Sequence, residues 1–138
     1  MKKSLRFEDL EIWQEAMRVC KEVYAIFKGC KDFSFKDQLQ RSSVSVPSNI
    51  AEGYERKSKK ETVHFLYIAK GSCGELRTQL YLAVSLEYID KEKGLALINQ
   101  CVSLSVKIYN YIQFIEKQQP LPTSHNLTQP YTNNQINN

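Results

Sequence analysis

Apolar residues recur in this chain at alternating steps of three and four, and they do so in four separate stretches. That period belongs to a helix, because residues three and four apart share one helix face while a strand alternates every second residue. The third stretch is the cleanest: Leu66, Ala69, Cys73, Leu76, Leu80 and Ala83 follow at steps of 3, 4, 3, 4 and 3. The first, from about Phe7 to Lys28, carries Leu10, Trp13, Met17, Cys20, Tyr24 and Phe27 at the same steps. The second, from about Phe35 to Arg56, carries Leu39, Ser43, Val46, Ile50 and Gly53. The fourth, to about Lys117, carries Ile98, Cys101, Ser105, Ile108, Ile112 and Ile115. Each set predicts a seam along one side of a helix.

Punctuation between the stretches agrees with this reading. Gly29 is placed as a helix C-terminal glycine. Ser34 with Asp37 resembles a capping box, and Ser58 with Glu61 is a better one. Asp90 is suited to the N-cap of the fourth helix, after the third ends near Tyr88. Pro47 removes a bond to the Ser43 carbonyl, so a kink is expected near Ser43 to Val46. The apolar face continues in phase across it, which favours one helix over two. Helices of roughly 20 to 28 residues span about 30 to 40 Å. Short connections make successive helices antiparallel neighbours, giving an all-α, antiparallel up-down-up-down four-helix bundle.

Residues 1–118 form this bundle, with Pro47 its one proline. Residues 119–138 hold three prolines, five asparagines, three glutamines and no charged residue. Such a composition cannot bury enough apolar surface to fold alone, which predicts a flexible polar tail.

Chemistry is sparse. The histidines are His64 and His125. Glu61-Thr62-Val63-His64 is a single Glu-x-x-His motif, where a di-iron bundle needs two and further glutamates. There is no phosphate-binding glycine loop and no Gly-x-Ser-x-Gly elbow. No catalytic, metal or cofactor site is expected. Cys20, Cys30, Cys73 and Cys101 show no Cys-x-x-Cys spacing and read as reduced thiols, largely buried. No apolar run approaches the roughly 20 residues of a membrane span. The basic N-terminus lacks the apolar segment of a signal peptide, so a cytoplasmic protein without membrane contact is expected.

Some residues stand out from the seams. Gln38, Arg41, Ser45, Asn49, Glu52 and Arg56 make a polar stripe along the second helix. The stripe reads as an inter-helix or intersubunit hydrogen-bond ladder. A catalytic pair of Glu52 and Glu75 is the competing reading. Gly71 and Gly74 thin the third helix, at about 1 kcal/mol each relative to alanine. Close approach of the second helix, or of another subunit, would offset that cost. Tyr54, Tyr67, Tyr81, Tyr88, Tyr109 and Tyr111 cannot all face one seam, so some lie at the surface, as in oligomer interfaces. The net charge is only +4. An up-down bundle nevertheless gathers Lys2, Lys3, Arg6, Arg56, Lys57, Lys59 and Lys60 at one end. That basic pole would suit nucleic-acid phosphates, or be an ordinary solvated helix end.

Two stretches carry a family resemblance: residues 38–53, ending Asn49-Ile50-Ala51-Glu52-Gly53, and residues 65–76, with Ala69, Gly71, Ser72 and Glu75. With Trp13-Gln14-Glu15-Ala16 they resemble the bacterial four-helix-bundle proteins encoded in intervening sequences of 23S ribosomal RNA genes. The resemblance covers about residues 7 to 117. It implies up-down bundles that assemble into rings, typically pentamers. It also implies kinship with accessory proteins of diversity-generating retroelements, which bind a reverse transcriptase and nucleic acid and are more basic than this chain. The family signature falls on Arg41, Asn49, Glu52, Gly53, Gly71, Ser72 and Glu75, the expected assembly network. The resulting expectation is a non-enzymatic, ring-forming scaffold or accessory factor that meets RNA, DNA or a nucleic-acid enzyme through its basic pole. The alternative is a purely protein-binding module.

Overall fold

A computed structural model describes residues 6–118; Lys2, Lys3, His125 and the expected tail lie outside it. A short 3-10 turn at Phe7–Asp9 leads into α1 (Glu11–Ile26), α2 (Phe33–Tyr54), α3 (Lys59–Ser85) and α4 (Lys91–Lys117). Each helix packs on the next, and α4 closes back onto α1 through the sparsest contact of the four. Bonds across the seams give the direction of each pair. Ser42 meets Glu75 and Ser45 meets Ser72, so α2 and α3 are antiparallel. Gln100 meets Glu22 and Lys107 meets Glu15, so α4 and α1 are too. The fold is the expected all-α up-down-up-down bundle.

The core is one apolar column. All six seam residues of α3 are buried, as are the five of α2. In α4, Ile98, Cys101, Ile108, Ile112 and Ile115 are buried as expected, whereas Ser105 is only half-buried and Leu104 occupies the core. The seam of α1 differs by one position. Ile12, Ala16, Val19 and Val23 are buried, Trp13, Met17 and Cys20 sit at the flank, and Tyr24 is exposed. Two apolar stripes with the same period interleave on this helix, and the packed one is that of the smaller side chains Ile12, Ala16, Val19 and Val23. Trp13 instead packs against Phe7, ring centroids 5.5 Å apart.

The ends also sort real caps from apparent ones. Asp32, not Ser34, caps α2, its Oδ1 accepting from the Phe35 N–H at 3.1 Å. The longer acid begins the helix two residues earlier and leaves Ser34 inside the first turn. Ser58 caps α3 through the Glu61 N–H at 3.1 Å, and Asp90 caps α4 through the Glu92 N–H at 3.2 Å. Gly29 has no left-handed backbone. The α1 end is held instead by buried Phe27, whose N–H bonds the Val23 carbonyl. The left-handed residue is Glu87, with φ 62°. α3 therefore stops at Ser85, short of Tyr88. The Tyr88 N–H reaches back to the Ala83 carbonyl and the Glu87 N–H to that of Val84, the bond pair of a Schellman motif. Across Pro47, α2 runs on as a single helix.

Candidate functional site

The polar stripe of α2 meets α3 through Ser45 and Arg56, and neighbouring Ser42 joins it there. The Ser42 hydroxyl is shared between Glu75 Oε1 at 2.9 Å and the Gln38 carbonyl at 3.1 Å. Ser45 and Ser72 hydroxyls meet at 2.8 Å, and Asn49 Nδ2 donates to the Ser45 carbonyl and hydroxyl. Thr62 donates to the Gly53 carbonyl at 2.8 Å. A Cβ at Gly53 would lie 3.0 Å from the Thr62 carbonyl oxygen, so glycine permits this close crossing. Small side chains bring the two backbones together and their hydroxyls satisfy one another.

The seven signature residues therefore divide. Asn49, Gly53, Ser72 and Glu75 join the α2–α3 seam. Arg41 pairs with Asp37 along the exposed side of α2, and Arg56 pairs with Glu52 while its guanidinium stacks 4.7 Å above the Phe65 ring. Glu52 and Glu75 do not come together: Glu75 meets Ser42, ten positions along α2 from Glu52, or about 15 Å. Glu61 is spent on the α3 cap, and the His64 ring lies edge-on to Phe65. Among the described residues, no group of three or more His, Cys, Asp and Glu side chains is gathered as metal ligands would be.

Gly71 and Gly74 lie elsewhere. A Cβ at either position meets nothing within 4 Å, so α2 does not cover them. By helical phase they share the outer side of α3 with Tyr67 and Tyr81, exposed at 45% and 52%. Neighbouring α4 turns Leu95, Val102, Val106 and Tyr109 outward, all exposed. Among the described residues, nothing covers this apolar surface.

At the basic end, Lys59 Nζ donates to the Gln118 carbonyl at 2.7 Å, which brings the start of α3 against the end of α4. Arg6 pairs with Glu8 at 2.7 Å. Arg56, Lys57, Lys59 and Lys60 sit together at the α2–α3 connection, interleaved with Glu52, Glu55 and Glu61. Lys57 and Lys60 remain exposed.

Sequence reasoning missed a cleft between α1 and α4, lined by Glu15, Arg18, Val19, Glu22, Gln100 and Ser103, with a volume of about 310 Å³. Lys107 crosses one end, donating to Glu15 at 2.8 Å and Glu11 at 2.9 Å. Glu15, and then Glu11, hold its ammonium above the ordinary lysine pKa. Glu15 Oε2 is shielded from solvent and has no hydrogen-bond partner among the described residues. Glu11 and Glu15, one turn apart, were a signal of sorts, but they look like any solvated helix face.

The cysteines are free. Cys73 and Cys101 are buried, and the Cys73 thiol donates to the Cys101 carbonyl at 3.2 Å. The bond with Cys73, and then burial, push the Cys101 thiol well up, the state of an inert core cysteine. Cys20 and Cys30 are half-buried.

With this geometry in place, residues 8–110 match the family described as 23S rRNA-intervening sequence protein. The chain belongs to that family. A solved structure similar to this intervening-sequence protein is that of a protein of unknown function from the S23 ribosomal protein family of Bacteroides thetaiotaomicron VPI-5482. The two are 22% identical with a TM-score of 0.70, over 74% of this chain and 98% of the other. At that identity the likeness concerns the fold. No curated protein matches the chain. Neither the family description nor that structure names a catalytic activity. No described helix of this family member is long and apolar enough to cross a membrane.

Proposed function

We propose that this intervening-sequence protein is a cytoplasmic, non-enzymatic, ring-forming bundle, pentameric by its family resemblance, that serves as a scaffold or accessory factor. The observation that carries this reading is the uncovered apolar surface of α3 and α4. Its tyrosines and valines are exposed around two bare glycines, and an apolar area of this kind marks a contact surface. A ring would repeat the end that bears Arg56, Lys57, Lys59 and Lys60. That repetition converts a weak basic pole into one suited to phosphate backbones.

Light scattering tests the ring: a mass several times 16.0 kDa supports it, and a monomer at 16.0 kDa refutes it. Gel shifts with structured RNA at several salt concentrations test the nucleic-acid contact. Binding should weaken steeply with salt and with Lys57→Glu/Lys60→Glu. Absence of binding at low salt removes this part of the reading.

One observation favours a second reading, a ring that binds protein alone. Arg6 and Arg56 carry carboxylate partners and Lys59 a carbonyl, which lowers the charge available to phosphates. Partners captured from cells unchanged by the Lys57→Glu/Lys60→Glu variant would support that reading.

A further inference from the structure

Two surfaces of this bundle are incomplete, and they are incomplete in complementary ways. The outer α3–α4 surface presents apolar side chains with Lys70 and Arg77 at its edge. Both cations lie near Cys73, on the α4 side of α3, and neither makes an ion pair among the described residues. The α1–α4 cleft has the opposite character. Glu15 and Glu22 line it against the single cation Arg18, and Lys107 is held by Glu11 and Glu15. Glu15 Oε2 is an acceptor withdrawn from water with no donor among the described residues. Such an atom is unfavourable until a donor reaches it. The sparse α1–α4 contact leaves the cleft open to an incoming side chain.

We infer that the ring closes head to tail, with the outer α3–α4 surface of one copy docked on the α1–α4 cleft of the next, Arg77 and Lys70 meeting Glu15 and Glu22. This inference rests on the ring reading above and adds its two contact surfaces. Because the surfaces differ, the contact is heterologous and propagates from copy to copy. They also lie on adjacent sides of the bundle, sharing α4. In a square bundle adjacent sides point about 90° apart, so docking turns each copy by about 90° and closes near four members. Sides opened to about 108° close at five. A surface paired with the opposite side of the bundle would instead build a filament.

Charge reversal and cross-linking test it on the full chain. Arg77→Glu and Glu22→Arg, each alone, should reduce the light-scattering mass to 16.0 kDa with the helical circular dichroism unchanged. The double variant Arg77→Glu/Glu22→Arg should regain the ring mass, which rules out misfolding as the cause. Carbodiimide coupling of mixed heavy- and light-isotope copies should join Lys70 of one copy to Glu22 or Glu15 of another. A wild-type monomer sinks the ring and this inference together. A ring that survives both reversals, with Lys70 coupled elsewhere, overturns the inference and leaves the ring standing. Spermidine that raises the melting temperature of the wild type but not of Glu22→Arg, with mass unchanged in both reversals, would assign the cleft to a small polyamine and also overturn it.

Discussion

Gly94 in the first turn of α4 lies against Val84 near the end of α3, so closely that a Cβ at position 94 would overlap Val84 Cγ2. Glycine is needed here by tertiary approach and not by backbone conformation, since its φ is negative. Gly94→Ala gains about 1 kcal/mol of helix propensity. It also forces apart a stiff β-branched side chain in a packed seam, which costs about 1 to 3 kcal/mol. The expected net effect is destabilisation of up to about 2 kcal/mol. Urea denaturation would show it, and adding Val84→Ala should recover part of the loss at position 94. A neutral Gly94→Ala would mean that the α3–α4 loop yields.

That glycine shows where sequence reading stopped. The α3 seam was legible because one apolar stripe runs there without a rival. On α1 two stripes of equal period compete, and only the neighbours' positions choose Ile12, Ala16 and Val19 over Trp13, Met17 and Cys20. The α2 side of the polar seam was legible as a stripe, since Ser45 and Asn49 recur at helical steps beside apolar residues. The α1–α4 cleft was not. Glu15, Glu22 and Lys107 are far apart in sequence, and charged residues on a helix look alike whether solvated or crossing to another helix. Gly94 and Glu87 carry no periodic signal at all, because each answers to one contact or one turn.

Glu87 adopts φ 62° at the end of α3, in the position a Schellman motif usually gives to glycine. A left-handed backbone costs a residue with a side chain about 1 to 2 kcal/mol. Glu87→Gly removes that cost and returns part of it as unfolded-state entropy, so a gain of about 0.5 to 1 kcal/mol is expected. Glu87→Ala keeps the cost and should show no gain. A raised denaturation midpoint for the glycine variant, and not for alanine, checks the assignment.

Tyr111 ties stability to alkaline pH. Burial, and then the charge of Tyr54, push its hydroxyl above the ordinary 10.0. Its ring stacks on Phe114 with centroids 6.2 Å apart. In the unfolded chain the hydroxyl ionises near pH 10, while the native chain still holds the proton. The unfolded state then binds fewer protons, so native stability is full below pH 10 and falls as pH rises further, by up to about 1.4 kcal/mol per unit. Tyr111→Phe removes this term. Urea denaturation at pH 7 and pH 11 should show a drop in the wild type that exceeds the variant's by on the order of 1 kcal/mol. Equal drops would place the hydroxyl in contact with water.

Gly71 and Gly74 allow the assembly reading to be tested by effects of opposite sign. Among the described residues neither position has a neighbour within 4 Å. Gly71→Ala and Gly74→Ala should therefore each stabilise the isolated chain by about 1 kcal/mol through helix propensity. Bare glycines on the outer α3–α4 surface are useful only if another backbone or ring comes close. If a second copy packs there, the added methyl groups obstruct it, and the same variants should shift the ring toward monomer. Melting at low protein concentration measures the first effect, and light scattering across a dilution series the second. More stable chains that assemble as well as the wild type would remove Gly71 and Gly74 from the contact. More stable chains that assemble less would show that the two glycines spend monomer stability on the approach of a neighbour.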